Sequence, residues 1–246
     1  MGFYPTDLHL HTALSPCGGE EMTPPNIVAA ALAEGLQLIA VTDHNSAGNV
    51  AAVMAAAAGS GLTIIPGMEV QSREDVHLVC LFAELEAVLD WQEEVYRRLP
   101  DARNREEYFG PQLLLDERGR EKGREQRLLL AGIDLSCEEV ARAVAARGGL
   151  CLPAHVDRPS FSLLANLGFV PPEMEVIALE LGLYEPAVAR AKLPQLADWP
   201  LVAASDAHYL GDIGNKVTIY DLEAPDLASL KKALQENKFK VVFKRR

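Results

Sequence analysis

What most constrains this chain is a set of short apolar runs that read as strands covered on both faces. They are LQLIAVTDH (36–44), LTIIPGMEV (62–70), DVHLVCLF (75–82), LCLPAHV (150–156), EVIALEL (175–181) and LVAASDAH (201–208). A strand with one wet face alternates apolar and polar residues, whereas these runs are nearly continuous, as in a parallel sheet sandwiched by helices. Helix signals stand between several of them. Thr23-Pro24-Pro25 offers a capping hydroxyl and then prolines ahead of NIVAAALAEG, which Gly35 closes. Ser136 and Glu139 have capping-box spacing ahead of VARAVAARGG. Strand, helix, strand repeated along a chain implies a mostly parallel sheet. No glycine-rich dinucleotide fingerprint is present. Seven or so strands then favour a closed or nearly closed α/β barrel over an open doubly wound sheet.

Two regions depart from this rhythm. Residues 97–127, RRLPDARNREEYFGPQLLLDERGREKGREQR, mix both charge signs and hold few large apolar side chains. They read as a solvated insertion with a helical or hairpin element, the rival reading being a lid over an active site. The tail NKVTIYDLEAPDLASLKKALQENKFKVVF reads as strand, helix, strand packed on the barrel. The expected organisation is one domain over 1–246, with the insertion at about 97–130 and the extension at about 214–246. Of 246 residues 49% are hydrophobic, enough for a substantial core, and the net charge of −12 is the opposite of what a nucleic-acid-coating protein presents. The start lacks a basic region followed by a long apolar run, and no later run has membrane-spanning length, so a cytoplasmic protein without a membrane partner is expected. Cys80 and Cys151 sit in strand-like segments and read as small buried hydrophobes.

The six histidines carry the chemistry. His9 and His11 end the first strand-like run in DLHLHT, His44 ends the second in VTDH, His155 lies in PAHVDR and His208 in ASDAH. These are carboxyl ends of strands, where parallel barrels build their sites. His77 is the exception, falling at the beginning of its run. Acids accompany them: Asp43 beside His44, Glu69 ending IIPGMEV, and Asp206 two before His208. The i, i+2 spacing of His9 and His11 points both imidazoles to one face of a strand, about 7 Å apart along it. Imidazole and carboxylate together ligate Zn²⁺, Mn²⁺ and iron, and a carboxylate such as Glu69 can bridge two ions. A lone histidine at a strand end is usually just a satisfied polar group; six gathered in that setting point to a metal site.

In that order, DLHLHT, AVTDHNS, GMEV, VHLV, PAHVD and ASDAH resemble the PHP (polymerase and histidinol phosphatase) family of metal-dependent phosphoesterases. The resemblance implies a distorted (β/α)7 TIM-like barrel with two or three divalent ions (Zn, Mn or Fe) at one end. It implies that His9, His11, Glu69 and Asp206 hold a first ion, and that Glu69, His77 and His155 hold a second with Glu69 bridging. A third ion in such proteins is held by the counterparts of His44 and His208 and by a histidine six residues after the HxH motif. Here Cys17 stands at that place, either as a thiolate ligand or as a thiol packed behind the ligands. Asp43 either ligates or orients a neighbouring imidazole.

The implied activity is hydrolysis of a phosphate ester of a small metabolite or nucleotide, with a metal-bound water as the catalytic nucleophile and none supplied by the protein. The absence of a G-x-S-x-G elbow and of a P-loop agrees with that. Arg158, three after His155, and Arg73, four after Glu69, are placed to bind substrate phosphate, against the plainer reading of two surface arginines. Two rivals stay open: a nuclease or phosphodiesterase acting on nucleic-acid ends, and a non-catalytic metal-binding module.

Overall fold

The structure, a computed structural model, describes residues 2–244. Its strands, in chain order, are β1 (Gly2–Leu10), β2 (Leu38–Val41), β3 (Thr63–Gln71), β4 (His77–Leu81), β5 (Leu113–Leu115), β6 (Glu121–Arg124), β7 (Leu150–Pro153), β8 (Leu179–Leu181), β9 (Leu201–Ala203), β10 (Lys216–Leu222) and β11 (Phe239–Phe243). The helices are α1 (Pro24–Ala33), α2 (Val50–Ala57), α3 (Leu85–Arg98), α4 (Glu106–Phe109), α5 (Cys137–Ala146), α6 (Leu163–Asn166), α7 (Pro186–Lys192) and α8 (Leu227–Gln235).

A distorted barrel follows from the strand order. One curled sheet runs β11-β10-β1-β2-β3-β4-β7, and β8 with β9 forms a parallel pair. Backbone bonds close the ring: Val156 donates to the Glu180 carbonyl at 2.8 Å, and His11 donates to the Ala207 carbonyl at 3.0 Å. The ring is therefore β1-β2-β3-β4-β7-β8-β9 and back to β1. Strand β1 divides its pairing, giving residues 2–6 to β10 and its last turn to the segment after β9.

The sheet is less parallel than the sequence rhythm suggests. Helices α1 and α2 provide the crossovers that keep β1, β2 and β3 parallel. Only residues 72–76 separate β3 from β4. A parallel crossover takes a dozen residues or more, so the chain doubles back and β4 runs antiparallel to both β3 and β7. Its first residue, His77, is thereby delivered to the end of the barrel where its neighbours finish.

The continuous apolar runs have a simple cause in packing. Alternate residues of each strand join two different clusters. Leu38, Ala40, Ile65, Val79, Leu152 and Val202 fill the inside together with Leu230 and Leu234 of α8. Ile39, Val41 and Ile64 face outward onto Ile27, Val53, Trp91 and Val140 of the helices. Cys80 and Cys151 are buried with them as free thiols, cross-strand neighbours in the β4–β7 ladder. No helix among the described residues is long and apolar enough to cross a membrane.

The charged insertion contains both a helical turn, α4, and a hairpin, β5–β6. Its outer side is laced by exposed ion pairs such as Arg124–Glu106 and Arg120–Asp116. Its inner side is apolar: Leu113 and Leu115 pack on Ala13. Asn49 joins the two, donating to the Leu113 carbonyl at 3.0 Å and to Thr12 Oγ1 at 2.8 Å while accepting from the Leu115 N–H at 2.9 Å. The hairpin thus buttresses the loop that follows β1. The tail carries β10, α8 and β11, and residues 1, 245 and 246 of the expected domain lie outside the described residues.

Helix α5 opens with the capping box read from the sequence: Ser136 Oγ accepts from the Glu139 N–H at 3.2 Å, and the Glu139 carboxylate accepts from the Ser136 N–H at 2.7 Å. Ser136→Ala is expected to lower stability by about 1 kcal/mol in urea unfolding, the usual size of a lost N-cap.

Candidate metal centre

All the sequence-selected histidines meet at one mouth of the barrel. His9 and His11 come from the end of β1, His44 follows β2, Glu69 is near the end of β3, His155 follows β7, and Asp206 and His208 follow β9. His77 reaches the same place as the first residue of the reversed strand β4. All but His208 are buried, and His208 is half-buried.

Glu69 is the hub. Its Oε1 lies 3.0 Å from His77 Nδ1, 3.1 Å from His9 Nε2 and 3.4 Å from His155 Nε2. Its Oε2 lies 2.9 Å from His44 Nδ1 and 3.5 Å from His11 Nε2. Asp206 Oδ1 stands 3.1 Å from His11 Nε2 and 3.3 Å from His9 Nε2. Burial works against a charge on Glu69, yet His77, His9 and His44 hold its carboxyl well below the usual range. Burial also resists a proton on His9, but the Glu180, Glu69 and Asp206 carboxylates raise it well above the ordinary imidazole value. The centre demands positive charge.

The ring protons can be assigned from their partners. His9 Nδ1–H donates to Glu180 Oε1 at 2.9 Å. Ser15 Oγ–H is given to Asp43 Oδ1 at 2.7 Å, so Ser15 Oγ accepts from His11 Nδ1–H at 2.9 Å. His208 Nδ1–H donates to the Asp206 carbonyl at 2.9 Å. In the neutral rings each Nε2 is then a bare lone pair. The Nε2 atoms of His9 and His11 face each other at 3.3 Å with the Asp206 and Glu69 carboxylates beside them. Both Glu69 oxygens are buried without a well-formed hydrogen bond. Such a convergence of lone pairs is repulsive in an apolar surrounding unless a cation sits among them. The donor set therefore fits divalent metal, and three groups have ligand atoms close enough to share an ion: His9/His11/Asp206, His44/Glu69/His77 and His11/His44/His208.

Behind the donors stands a layer of fixed groups. Asp43 accepts from the Thr12 N–H, the Thr12 hydroxyl and the Ser15 hydroxyl, each at 2.7 Å. Its two oxygens are thus engaged in orienting the loop after β1 and, through Ser15, the His11 ring. Glu180, which sequence reasoning missed, is buried beneath His9 and also accepts from the His155 N–H at 3.3 Å. The signal was there: it is the one acid inside the apolar run ALEL. Asp7, unremarked in DLHLHT, accepts from the Ser205 N–H at 2.9 Å and the Gly214 N–H at 3.0 Å, pinning the Asp206 segment to β1. His155 and Asp206 have left-handed backbones, φ 32° and 54°. For non-glycine residues that conformation costs about 1–2 kcal/mol, a strain that clusters at functional sites.

Cys17, in the loop after β1, is exposed by surface area, with the His208 and His44 imidazoles near enough to act on its thiol. Desolvation pushes its pKa up, but these two imidazoles outweigh that and bring it down to about 7. Arg158 reaches the centre, its Nη1 2.6 Å from Asp206 Oδ2. Together with Ser160 and Phe161 it lines a cavity of about 100 Å³ above Glu69, His77, His155 and His208. Arg73 does not line that cavity. The chain turns outward after β3, the Arg73 N–H bonds the Leu135 carbonyl, and its guanidinium is held by Asp134 at 2.9 Å and Glu139 at 3.5 Å.

Comparison with known proteins agrees with this architecture. Residues 7–149 match the family model described as PHP domain, and residues 194–239 match that described as PHP-associated. A 3′,5′-nucleoside bisphosphate phosphatase of Chromobacterium violaceum is 37% identical over 78 residues, 30% of this chain and 26% of the relative. The chain thus spans about a quarter of the curated relative it matches. A lesion-specific endonuclease, EndoQ, from Pyrococcus furiosus superposes with a TM-score of 0.77 at 20% identity, over 98% of this chain and 58% of that one. A two-domain protein from Bacteroides vulgatus, containing a predicted PHP-like metal-dependent phosphoesterase, superposes with a TM-score of 0.58 at 16% identity, over 99% of this chain and 65% of that one. At these identities the superpositions show a shared fold.

If Glu180 fixes the His9 tautomer, Glu180→Ala should weaken binding of added Zn²⁺ about ten- to a hundredfold in a chelator competition, the usual effect of removing a ligand's own partner. Glu180→Gln should fall between, since its amide oxygen still accepts from Nδ1.

Proposed function

The chain belongs to the PHP domain family, and from that premise we propose that it is a metal-dependent phosphoesterase acting on a phosphate ester of a small metabolite or nucleotide. The observation that carries this reading is the pair of bare imidazole nitrogens beside two buried carboxylates, with the Arg158 guanidinium alongside. In this reading His9, His11, Glu69 and Asp206 hold a first ion of zinc, manganese or iron. Glu69, His77 and His155 hold a second, and His44 and His208, with Cys17 against them, hold a third. Divalent ions so held supply a water nucleophile at neutral pH and neutralise the charge that develops on the ester oxygens.

The chain's own residues do the rest. Glu180 and the Asp43–Ser15 pair keep His9 and His11 with Nε2 turned inward. Asp7 and the Asp206 backbone hold the far side of the ring in place. Arg158 offers its guanidinium N–H groups to a phosphate, exchanging its contact with Asp206 for a substrate oxygen. A cavity of about 100 Å³ admits a phosphoryl group and leaves the alcohol part of the ester at the rim. That shape suits the end of a substrate, and the charge of −12 weighs against a long nucleic-acid track.

The test is metal analysis followed by a screen of phosphorylated metabolites, nucleotides and short oligonucleotides. Two or three transition-metal ions per chain and turnover of a small monoester are expected. Fewer than one ion after growth with added Mn²⁺ or Zn²⁺, or no turnover of any ester, overturns the reading; a preference for oligonucleotides moves it to nucleic-acid ends. Glu69→Gln should lower turnover by at least about a hundredfold, because it touches donors of every ion.

A further inference from the structure

We propose that Phe161 is a stacking platform that selects phosphate esters whose alcohol carries a flat aromatic ring, a nucleobase foremost. This rests on the phosphoesterase reading and narrows its substrate class.

The cavity takes the phosphoryl group and leaves the rest of the ester against its rim. Among the side chains that line it, Phe161 is the exposed large apolar one, 45% exposed. Its ring lies nearly parallel to the His77 imidazole, with centroids 4.9 Å apart and planes 23° apart. One face is thus spent on His77, and the remainder meets solvent beside Arg158 and Ser160.

The ring is held there by its surroundings. Phe161 has a left-handed backbone, φ 52°, a conformation that a bulky side chain adopts only when its neighbours impose it. Its carbonyl accepts from the His77 N–H at 3.0 Å. The next residue, Ser162, is buried; its hydroxyl donates to the Arg158 carbonyl at 2.7 Å and accepts from the Ala165 N–H at 3.2 Å at the start of α6. The Arg158 N–H in turn bonds the His155 carbonyl at 2.9 Å. One short loop therefore fixes both a guanidinium for the phosphate and an apolar plane next to it. A ring already ordered in water loses little freedom when a flat group covers it. Base–aromatic stacking tolerates any base, because each presents a π-face.

The experiment compares kcat/KM for adenosine 5′- and 3′-phosphates with that for ribose 5-phosphate, which lacks the base, using metal-loaded wild type, Phe161→Ala and Phe161→Trp. The expected wild type favours an adenosine ester. Phe161→Ala should shrink that preference about tenfold, the scale of one stacked base, through KM, and Phe161→Trp should restore it. Metal content should match wild type in both variants. Equal losses on all esters, or lost metal in Phe161→Ala, would make the ring a mere support for His77 and overturn the proposal. So would a wild type with no preference for the base. If no ester turns over at all, the phosphoesterase reading itself fails. Calorimetric binding of adenosine 5′-phosphate then decides the stacking site, and affinity unchanged in Phe161→Ala rejects it.

Discussion

A buried carboxylate without a well-formed hydrogen bond is costly to keep in a protein interior, and Glu69 is in that state at the centre of five imidazoles. The arrangement of the barrel mouth follows from that requirement. The partners of Glu69 come from β1, the end of β2, the start of β4 and the end of β7, so no local segment could assemble them. The curled sheet β1-β2-β3-β4-β7 gathers them, and the closing bonds from Val156 to Glu180 and from His11 to Ala207 add Asp206 and His208 on the far side.

The groups behind the ligands decide how the donors are presented. Imidazole offers either nitrogen, and the choice is made by whatever the other one meets. For His9 that is Glu180, and for His11 it is Ser15, itself held by Asp43. A carboxylate behind an imidazole makes it a stronger donor, whereas a hydroxyl does so less. The two histidines of the HxH pair are consequently unequal. His9 is pressed by three carboxylates and raised well above its ordinary value, while burial and the adjacent His208 and His44 push His11 well below.

Much of this was legible in the residues themselves. Runs apolar on both faces gave the barrel because Leu38 and Ala40 fill its inside while Ile39 and Val41 meet the helices. Histidines at strand ends gave the mouth. His77 was the exception, and its place became intelligible only with the short β3–β4 connection, whose effect is topological and leaves no mark on His77 itself. Glu180 escaped notice because a lone acid in a strand is ambiguous until the neighbour beneath it is known. Arg73 looked equivalent to Arg158 by sequence distance from a ligand. The turn after β3 carries the one outward to Asp134 and Glu139, and the loop after β7 folds the other inward to Asp206.

The closure between β1 and the segment after β9 has a consequence for how the protein comes into being. His9 and His11 emerge from the ribosome among the first residues of the described chain, but Asp206 and His208 follow only after nearly two hundred more have been made. Until then the bare nitrogens of β1 lack the partner strand that completes their cage, and the nascent barrel has an open seam along β1. A chain cut short before residue 206 would lack Asp206, His208 and the Ala207 carbonyl that accepts from the His11 N–H, so the seam along β1 would stay open.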